Sequence, residues 1–382
     1  MASAGKVVLA ERLGSPTPTL KEVTMRIAIV APPWVAVPPA GYGGSETALD
    51  TLARGLQTAG HDVLLCATGD SSCPVPQAWV IERAIGIGVG GAASELRHVA
   101  HAYAQAVDCD VVHDHTLVGP FYAQRFPDLP VVTTNHGPFE GELGDVYRAL
   151  GSEADVVAIS AHQASTARGV NVAAVIHHGI EPDDFPVGGG GEYAMFLGRM
   201  SATKGVATAA RVARAAGVPL VIAAKLNEPA EHEYFEQSVK PLLGAGIEYV
   251  GEVGPVEKKA LLGGACCLLN PIAWPEPFGM VMIEALACGT PVVATPRGAV
   301  PEIVRDGVTG FICSTEEALV GALGRVRDLD RSTCRRAVEG HFSARRMVDD
   351  HVLLYERVIA GDHPAVSIDV AYTQSHSLDL VS

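Results

Sequence analysis

The chain has 382 residues, of which 48% are hydrophobic and 19% are charged, and its net charge is −15 at pH 7. Residues 26–186 contain seven arginines, no lysine and eighteen acidic residues, so this half lacks a basic surface for nucleic acid or anionic lipid. We therefore expect no nucleic-acid partner, and the charge disfavours a membrane surface. No apolar run reaches the roughly 18 residues of a transmembrane helix.

Residues 1–24 are polar and lack the regions of a signal peptide. Either Met25, which opens the first apolar run, is the functional start, or residues 1–24 form a disordered extension. Eight cysteines show no Cys-x-x-Cys spacing and mostly lie in apolar runs. This pattern indicates reduced, packed thiols and a cytoplasmic protein.

The first predicted strand, 26–31, leads into a loop rich in proline and glycine and then into an amphipathic helix. Ser45 is the expected N-cap of that helix and Gly60 its stop. A second strand follows at 62–67. This order of strand, glycine loop, helix and strand is a βαβ unit, which implies a parallel sheet. The alternation continues with a helix at 95–107 and strands at 111–113, 131–134 and 156–159.

A run of four glycines at 188–191 is the best domain boundary in the chain. Beyond it we predict strands at 193–197, 220–224, 247–250, 266–269, 290–294 and 310–313, and helices at 206–216, 280–288 and 344–359. Two doubly wound α/β domains joined by a short linker enclose a cleft, with ligands at the carboxyl ends of the strands. The predicted parts are an extension (1–24), an N-terminal domain (25–187), a C-terminal domain (188–343), a terminal helix (344–361) and a mobile tail (362–382).

The stretch 274–294 combines a turn-forming loop, an apolar helix and a buried strand. Such a helix start offers unpaired N–H groups to an anionic ligand. At about 1.5 Å per residue, Glu276 and Glu284 lie roughly 12 Å apart. That is too far for an acid and nucleophile pair, which needs about 5 to 10 Å, but it suits two carboxylates that hold opposite ends of one elongated ligand. One buried and one surface glutamate on an ordinary helix is the alternative.

Two basic residues, Arg199 and Lys204, stand between a predicted strand end and a helix start. Cations at a helix N-terminus form a site for a diphosphate. The alternative is a solvated loop with two ordinary basic residues.

Together these motifs resemble the family 4 retaining glycosyltransferases of GT-B fold. The resemblance rests on Gly198-Arg199, Lys204-Gly205 and Glu276-Pro-Phe-Gly…Glu284, and it extends to Gly43-Gly44-x-Glu46, Asn135-His136-Gly137 and Thr309-Gly310-Phe311. It covers about residues 25–361. It implies two Rossmann-like domains that face each other across a cleft, with the C-terminal helix crossing back to the first domain.

The resemblance also implies roles for individual residues. Arg199 and Lys204 would hold the diphosphate of a nucleotide-sugar donor. Glu276 would bind the sugar hydroxyls and Glu284 the ribose, while His136 would contact the sugar near the reacting centre. The remaining candidates are Gly43, Gly44, Phe278, Gly279 and Met280 on the donor side, and Tyr42, Glu46 and His115 on the acceptor side.

The implied reaction transfers a sugar to an acceptor hydroxyl with retention, and it needs neither a metal nor another cofactor. The Asp108-Cys-Asp110 triplet has the form found in metal-dependent transferases, but it precedes a buried strand, and no metal role is expected for it. His113-Asp114-His115 fits a strand end better than a metal site. A sugar-nucleotide epimerase, a phosphorylase and a non-catalytic binding module remain alternatives. The sequence indicates neither the base, sugar and acceptor nor the oligomeric state.

Overall fold

The computed structural model describes residues 24–86, 91–151 and 154–366. The prediction that residues 1–24 form a disordered extension falls outside these ranges, except for residue 24. The same holds for residues 367–382 of the predicted tail. No helix within the described ranges is long and apolar enough to cross a membrane.

The first sheet has seven parallel strands in the order β3-β2-β1-β4-β5-β6-β7. The strands are β1 (Arg26–Val30), β2 (Asp62–Cys66), β3 (Gln77–Ala78), β4 (Val111–Asp114), β5 (Val131–Thr134), β6 (Asp155–Ala158) and β7 (Val172–Val175). The helices of this half are α1 (Gly44–Thr58), α2 (Ala92–Gln105), α3 (Gly119–Ala123), α4 (Gly141–Ala149) and α5 (Ala161–Thr166). Helices cover both faces of such a sheet, which is why its central strands appear in the sequence as short continuous apolar runs.

The second sheet has six parallel strands in the order β10-β9-β8-β11-β12-β13. The strands are β8 (Ala194–Arg199), β9 (Leu220–Lys225), β10 (Ile247–Gly251), β11 (Cys267–Asn270), β12 (Val292–Ala294) and β13 (Gly310–Ile312). The helices are α6 (Val206–Ala216), α7 (Pro229–Tyr234), α8 (Pro255–Gly264), α9 (Met280–Ala287), α10 (Val300–Ile303), α11 (Glu316–Leu323), α12 (Arg331–His341) and α13 (Ala344–Ile359). In each sheet the strand order reverses beside the first strand, and such switch points are where doubly wound sheets bind ligands.

The predicted strands are present with ends shifted by at most two residues, while β3 and β7 were not predicted. The first helix begins two residues earlier than expected, and its N-cap is Gly43 instead of Ser45. The prediction of Ser45 as the cap was wrong because the close-packed glycine loop starts the helix itself, so Ser45 already lies within its first turn. All eight cysteines are buried with free thiols, as expected.

The terminal helix α13 packs on the first sheet, although it follows the second domain. Its side chains Met347, Val348, Tyr355 and Val358 belong to the same buried cluster as β1 and α1. The chain passes from the first domain to the second and later returns, and the two crossing segments lie side by side. Ile180 N donates to Phe342 O (2.9 Å), and Ala344 N donates to Ile180 O (2.7 Å). The predicted crossing of the last helix is confirmed.

Candidate functional site

A cleft with a cavity of about 450 Å³ lies between the two sheets. The first domain contributes the loop after β1 and the start of α1. The second domain contributes the ends of β8 and β9, the loop after β11 and the first half of α9. The predicted site residues 42–44, 46, 136, 199, 204, 276, 278–280 and 284 all line this cleft. The folding of two separate sheets thus brings together residues that are up to about 240 positions apart in the sequence.

Arg199 ends β8 and is held by a carboxylate that the sequence analysis missed. Its Nε donates to Oε1 of Glu231 (3.0 Å), and its Nη2 lies 3.6 Å from Oε2 of Glu228. Oε2 of Glu231 accepts from the backbone N–H of Asn227 (2.9 Å) at the start of α7. Burial alone would raise the pKa of Glu231, but these hydrogen bonds and the Arg199 guanidinium lower it below its ordinary value. The Glu228-Pro229-x-Glu231 pattern is a recognisable capping signal, yet it does not reveal the pairing with Arg199.

Lys204 and Glu276 form an ion pair inside the cleft, with the Lys204 ammonium bonded to Oε2 of the carboxylate. The indole Nε1 of Trp274 donates to the same oxygen at 3.0 Å. Only 17% of the lysine side chain and 13% of the glutamate side chain are exposed, so water screens this pair weakly. The two predicted groups are therefore in direct contact.

Two glycines shape the loop that carries Glu276. Gly298 has φ +59°, and a Cβ at this position would lie 2.1 Å from the carbonyl oxygen of Glu276. Ala299 N donates to that same oxygen at 3.0 Å. Gly279 caps α9 with φ +94°, a left-handed conformation that favours glycine. These contacts seat Glu276 beside the N-terminus of α9.

Glu284 lies on α9 with 4% of its side chain exposed, and Nζ of Lys258 on α8 donates to its Oε1 at 2.6 Å. Glu276 and Glu284 are thus bonded to different lysines. This separation agrees with the expectation that the two carboxylates are not an acid and base pair. Lys258 was not predicted, since it precedes Glu284 by 26 residues and only helix packing brings it there.

The first-domain wall of the cleft is formed mainly by residues 41–47, which comprise the end of the loop after β1 and the first turn of α1. The backbone N–H of Tyr42 donates to Oε1 of Glu252 at 2.7 Å, which joins this loop to the second domain. Glu46 lies in the first turn of α1 with 9% exposure, and burial raises its pKa.

A stack of histidines lies beneath this wall. Nε2 of His136, which lines the cleft, is hydrogen-bonded to Nδ1 of His115 at 2.9 Å, and the His136 ring stacks on that of His178 with 5.2 Å between centroids. His115 does not line the cleft, because its ring is packed between those of His113 and His136. The structure therefore places this predicted acceptor-side residue behind His136. Burial lowers the pKa of His136 to about 4 and that of His115 well below its usual range.

In the two motifs that were considered as metal sites, Asp110 and His113 are hydrogen-bonded to other groups of the protein. Asp110 accepts from the backbone N–H of Arg26 at 2.6 Å, at the amino end of the sheet and away from the cleft. His113 is fully buried and is hydrogen-bonded to the hydroxyls of Tyr355 (2.6 Å) and Thr134 (2.7 Å). Within 24–86, 91–151 and 154–366, no group of three or more His, Cys, Asp or Glu is arranged to hold a metal ion.

Comparison with known proteins matches both halves of the chain. Residues 42–184 match Glycosyltransferase Family 4, and residues 181–339 match Glycosyl transferases group 1. A phosphatidyl-myo-inositol mannosyltransferase of Propionibacterium freudenreichii subsp. shermanii is 28% identical over 388 residues, which cover 90% of this chain and 97% of that relative.

Solved structures of similar fold cover nearly the whole described chain. AviGT4, a glycosyltransferase involved in avilamycin A biosynthesis, is 25% identical with a TM-score of 0.66, covering 88% of this chain and 98% of its own. Anabaena HepE in complex with UDP and glucose is 18% identical with a TM-score of 0.70, covering 87% of this chain and 99% of its own.

The two facing doubly wound domains and the cleft between them define a glycosyltransferase of GT-B fold. The chain belongs to the glycosyltransferases, with its first half matching family 4 and its second half matching group 1, as its motifs indicated. The roles of the individual cleft residues stay predictions.

Proposed function

We propose that this enzyme is a retaining glycosyltransferase that moves a sugar from a nucleoside-diphosphate donor to an acceptor hydroxyl without a metal ion or other cofactor. The observation that carries the proposal is the convergence of Arg199 and Lys204 with Glu276 and Glu284 in one cleft. HepE, a protein of the same fold, has been crystallised with UDP and glucose, which supports a nucleotide-sugar donor.

Arg199 and Lys204 bind the diphosphate in this proposal. Binding draws Lys204 from Glu276 to the phosphate oxygens, so the Glu276 carboxylate becomes free to accept hydrogen bonds from sugar hydroxyls. Glu284, which lies further along α9, accepts hydrogen bonds from the ribose hydroxyls. Backbone N–H groups at Phe278, Gly279 and Met280 add donors at the start of α9.

The transfer step needs positioning and charge stabilisation more than covalent chemistry. The acceptor oxygen forms a bond to the anomeric carbon on the face from which the diphosphate departs. The bond from that carbon to the phosphate oxygen breaks, and its electron pair leaves with the nucleoside diphosphate. The departing oxygen takes the acceptor proton. Arg199 and Lys204 stabilise the negative charge that grows on the leaving group, and they supply the positive charge that a metal gives other transferases.

An epimerase is disfavoured by the pairing of the two carboxylates. Glu276 is bonded to Lys204 and Glu284 to Lys258, so these two carboxylates do not form the close acid and base pair that epimerisation requires.

The test is nucleoside diphosphate release from UDP-, GDP- and ADP-sugars, measured with EDTA present. We expect Lys204→Ala to lower the rate by about 10² or more, because a group that stabilises developing charge is lost. The matched control is Lys240→Ala, which removes an exposed lysine outside the cleft that pairs with Glu236 at 2.6 Å. We expect the control to change the rate by less than about fivefold.

Three results would contradict the proposal. Wild-type turnover by Lys204→Ala would exclude the role of that lysine. Loss of activity in EDTA that Mg²⁺ or Mn²⁺ restores would exclude metal independence. A product whose anomeric configuration, determined by NMR, is inverted relative to the donor would exclude retention.

A further inference from the structure

The two walls of the cleft differ in charge. Its basic side chains, Arg199, Lys204, Lys225 and Lys258, all come from the second domain. The first-domain wall consists of residues 41–47 with Val35, His136, Ile159 and His178, and these described residues include no lysine or arginine. The cations of the described cleft thus lie on the second-domain wall, whereas the first-domain wall, which carries the acceptor-side candidates Tyr42 and Glu46, has none among these residues.

The arginines of the first domain lie elsewhere. Arg26 pairs with Asp62 (3.6 Å) and Arg54 with Asp50 (2.9 Å), and no arginine between residues 26 and 186 lines the described cleft. Residues 87–90 and 152–153, which fall outside the described ranges, contain neither lysine nor arginine. Among the described residues of this half, none therefore places a lysine or arginine on this wall of the cleft.

Glu46 gives this wall a negative group. Its Oε2 lies against Gly43, because a Cβ built on that glycine would be 3.0 Å from it. Burial raises the pKa of the carboxyl, and no cation among the described residues offsets that effect. A buried carboxyl without a cationic partner retains unused capacity to accept hydrogen bonds.

The histidines on the same wall add no positive charge. Burial lowers the pKa of His136 to about 4 and that of His178 well below its ordinary value. Both rings are neutral near pH 7, so they can exchange hydrogen bonds with hydroxyls but cannot balance an anion.

We propose that the acceptor is a neutral polyol, a sugar or cyclitol without phosphate or carboxylate beside the reacting hydroxyl, and that Glu46 accepts a hydrogen bond from one of its hydroxyls. The inference rests on the proposed function and names the acceptor class of the same cleft. A phosphate at this position would meet a buried carboxyl on a wall without cations, and like charges repel strongly where water is excluded. The inference distinguishes this chain from the phosphatidyl-myo-inositol mannosyltransferase it resembles, whose named substrate carries a phosphate.

The experiment compares matched acceptors in the presence of the nucleotide sugar that the enzyme uses. The pairs are myo-inositol with myo-inositol 1-phosphate, glucose with glucose 6-phosphate, and mannose with mannose 6-phosphate. Transfer is measured as acceptor-dependent nucleoside diphosphate release, with products identified by mass spectrometry. We expect kcat/KM for the neutral member to exceed that for its phosphorylated partner by roughly tenfold or more.

Two variants test the role of Glu46. Glu46→Gln removes the negative charge at nearly constant volume and should shrink the ratio between neutral and phosphorylated acceptors by about tenfold. Asp145→Asn changes an exposed first-domain carboxylate that pairs with Arg148, and it should leave the ratio unchanged.

Preference for the phosphorylated member, or transfer to phospholipid acceptors alone, would overturn the inference. An unchanged ratio in Glu46→Gln would overturn the part assigned to Glu46. Failure of the proposed function would be observed differently. It would appear as an inverted product, a requirement for a metal ion or full activity of Lys204→Ala, whichever acceptor is preferred.

Discussion

The position of Arg199 depends on a second residue, Glu231. The Glu231 side chain is 3% exposed. One of its oxygens accepts from the backbone N–H groups of Asn227 and Glu228, just before α7, and the other accepts from the Arg199 guanidinium. Because these bonds hold the carboxylate, the guanidinium is fixed at its Nε. Nη1 remains available to phosphate oxygens, and Nη2 lies 3.6 Å from the half-exposed carboxylate of Glu228. A bidentate contact with phosphate depends on this kind of orientation.

Replacing Glu231 with glutamine should lower kcat/KM for the donor by about tenfold, the effect of losing roughly 1.4 kcal/mol of transition-state binding. The amide has one accepting oxygen, which cannot serve both the backbone N–H groups of residues 227 and 228 and Arg199, so the guanidinium loses its fixed orientation. Glu228→Gln is the control, because that carboxylate is 47% exposed and 3.6 Å from Arg199. Steady-state kinetics should show the control within about fivefold of wild type. Equal effects in the two variants would show that orientation by Glu231 is unimportant.

At the scale of helices, Arg331 joins several elements of the second domain. Its guanidinium donates to the carbonyl oxygens of Gly188 (2.9 Å), Gly263 (2.9 Å), Ala265 (3.0 Å) and Cys288 (3.2 Å). These carbonyls lie in the linker and at the C-termini of α8 and α9. A cation is favourable at a helix C-terminus, where carbonyl groups lack partners within the helix. Arg331 thus ties the linker to the helices that carry Lys258 and Glu284.

Arg331→Met should destabilise the protein by about 3 kcal/mol or more, since several buried carbonyls lose a charged donor together. Arg336→Met is the control, because this exposed arginine of the same helix makes only surface contacts, such as its 3.3 Å pair with Asp330. The control should cost less than about 1 kcal/mol. Urea unfolding of both variants measures the difference, and a wild-type midpoint for Arg331→Met would contradict this account.

At the scale of the whole molecule, side-chain contacts at α10 and α13 help to join the domains. On one side of the cleft, the Glu302 carboxylate of α10 accepts from the backbone N–H groups of Ala161 and His162 (2.8 Å each) and binds Nε2 of His177 (2.7 Å). On the other side, the returning helix α13 places His351 and Tyr355 against His113 of the first sheet. The docking of the last helix therefore depends on a buried stack of aromatic rings and histidines.

This stack makes stability depend on pH. Burial lowers the pKa of His136 and His351 to about 4, and those of His113, His115 and His178 well below the ordinary value. As pH falls below about 6.5, the unfolded chain takes up protons that the folded protein excludes, so stability falls with pH. Each such histidine costs up to about 1.4 kcal/mol per pH unit. Asp114, whose pKa burial raises to about 6, acts in the opposite direction, as do Glu46 and Asp155, whose pKa burial also raises, and together they offset part of the effect.

We expect the urea midpoint to fall clearly between pH 7 and pH 5, with net uptake of several protons on unfolding. Calorimetry in buffers of different ionisation enthalpy measures that uptake. His351→Gln removes one group from the stack and should reduce the uptake by about one proton, while substitution of the exposed His232 by glutamine serves as the control. A midpoint that is constant over this range would show that the stack accepts protons while folded.

The elements that local pattern specifies were predicted closely. The helix 344–359 was predicted at its observed bounds because its apolar side chains recur every three or four residues. Strands buried on both faces appeared as apolar runs, whereas β3, with two residues, is too short to produce a pattern. The cap at Ser45 was wrong because a serine before an apolar run is a common signal, and the packing of the glycine loop overrides it here.

The site was predicted in part. Arg199, Lys204, Glu276 and Glu284 were identified because each stands beside a strand end or helix start, a feature visible in the local sequence. Their partners Glu231 and Lys258 were missed, since each comes from another helix, 32 and 26 residues away. His115 was expected beside the acceptor but is stacked behind His136, because two adjacent strand ends bring those rings together.

The sequence by itself determined the alternation of strands and helices, the two-domain organisation and the family, because periodicity, glycine positions and short motifs are local properties. Only the tertiary structure decided which charges meet. The pairing of Arg199 with Glu231, the cations confined to one wall of the cleft and the histidine stack under α13 all join segments far apart in the chain. Parallel sheets connect every strand through a crossover, so their neighbours in space are distant in sequence and leave no local pattern to recognise.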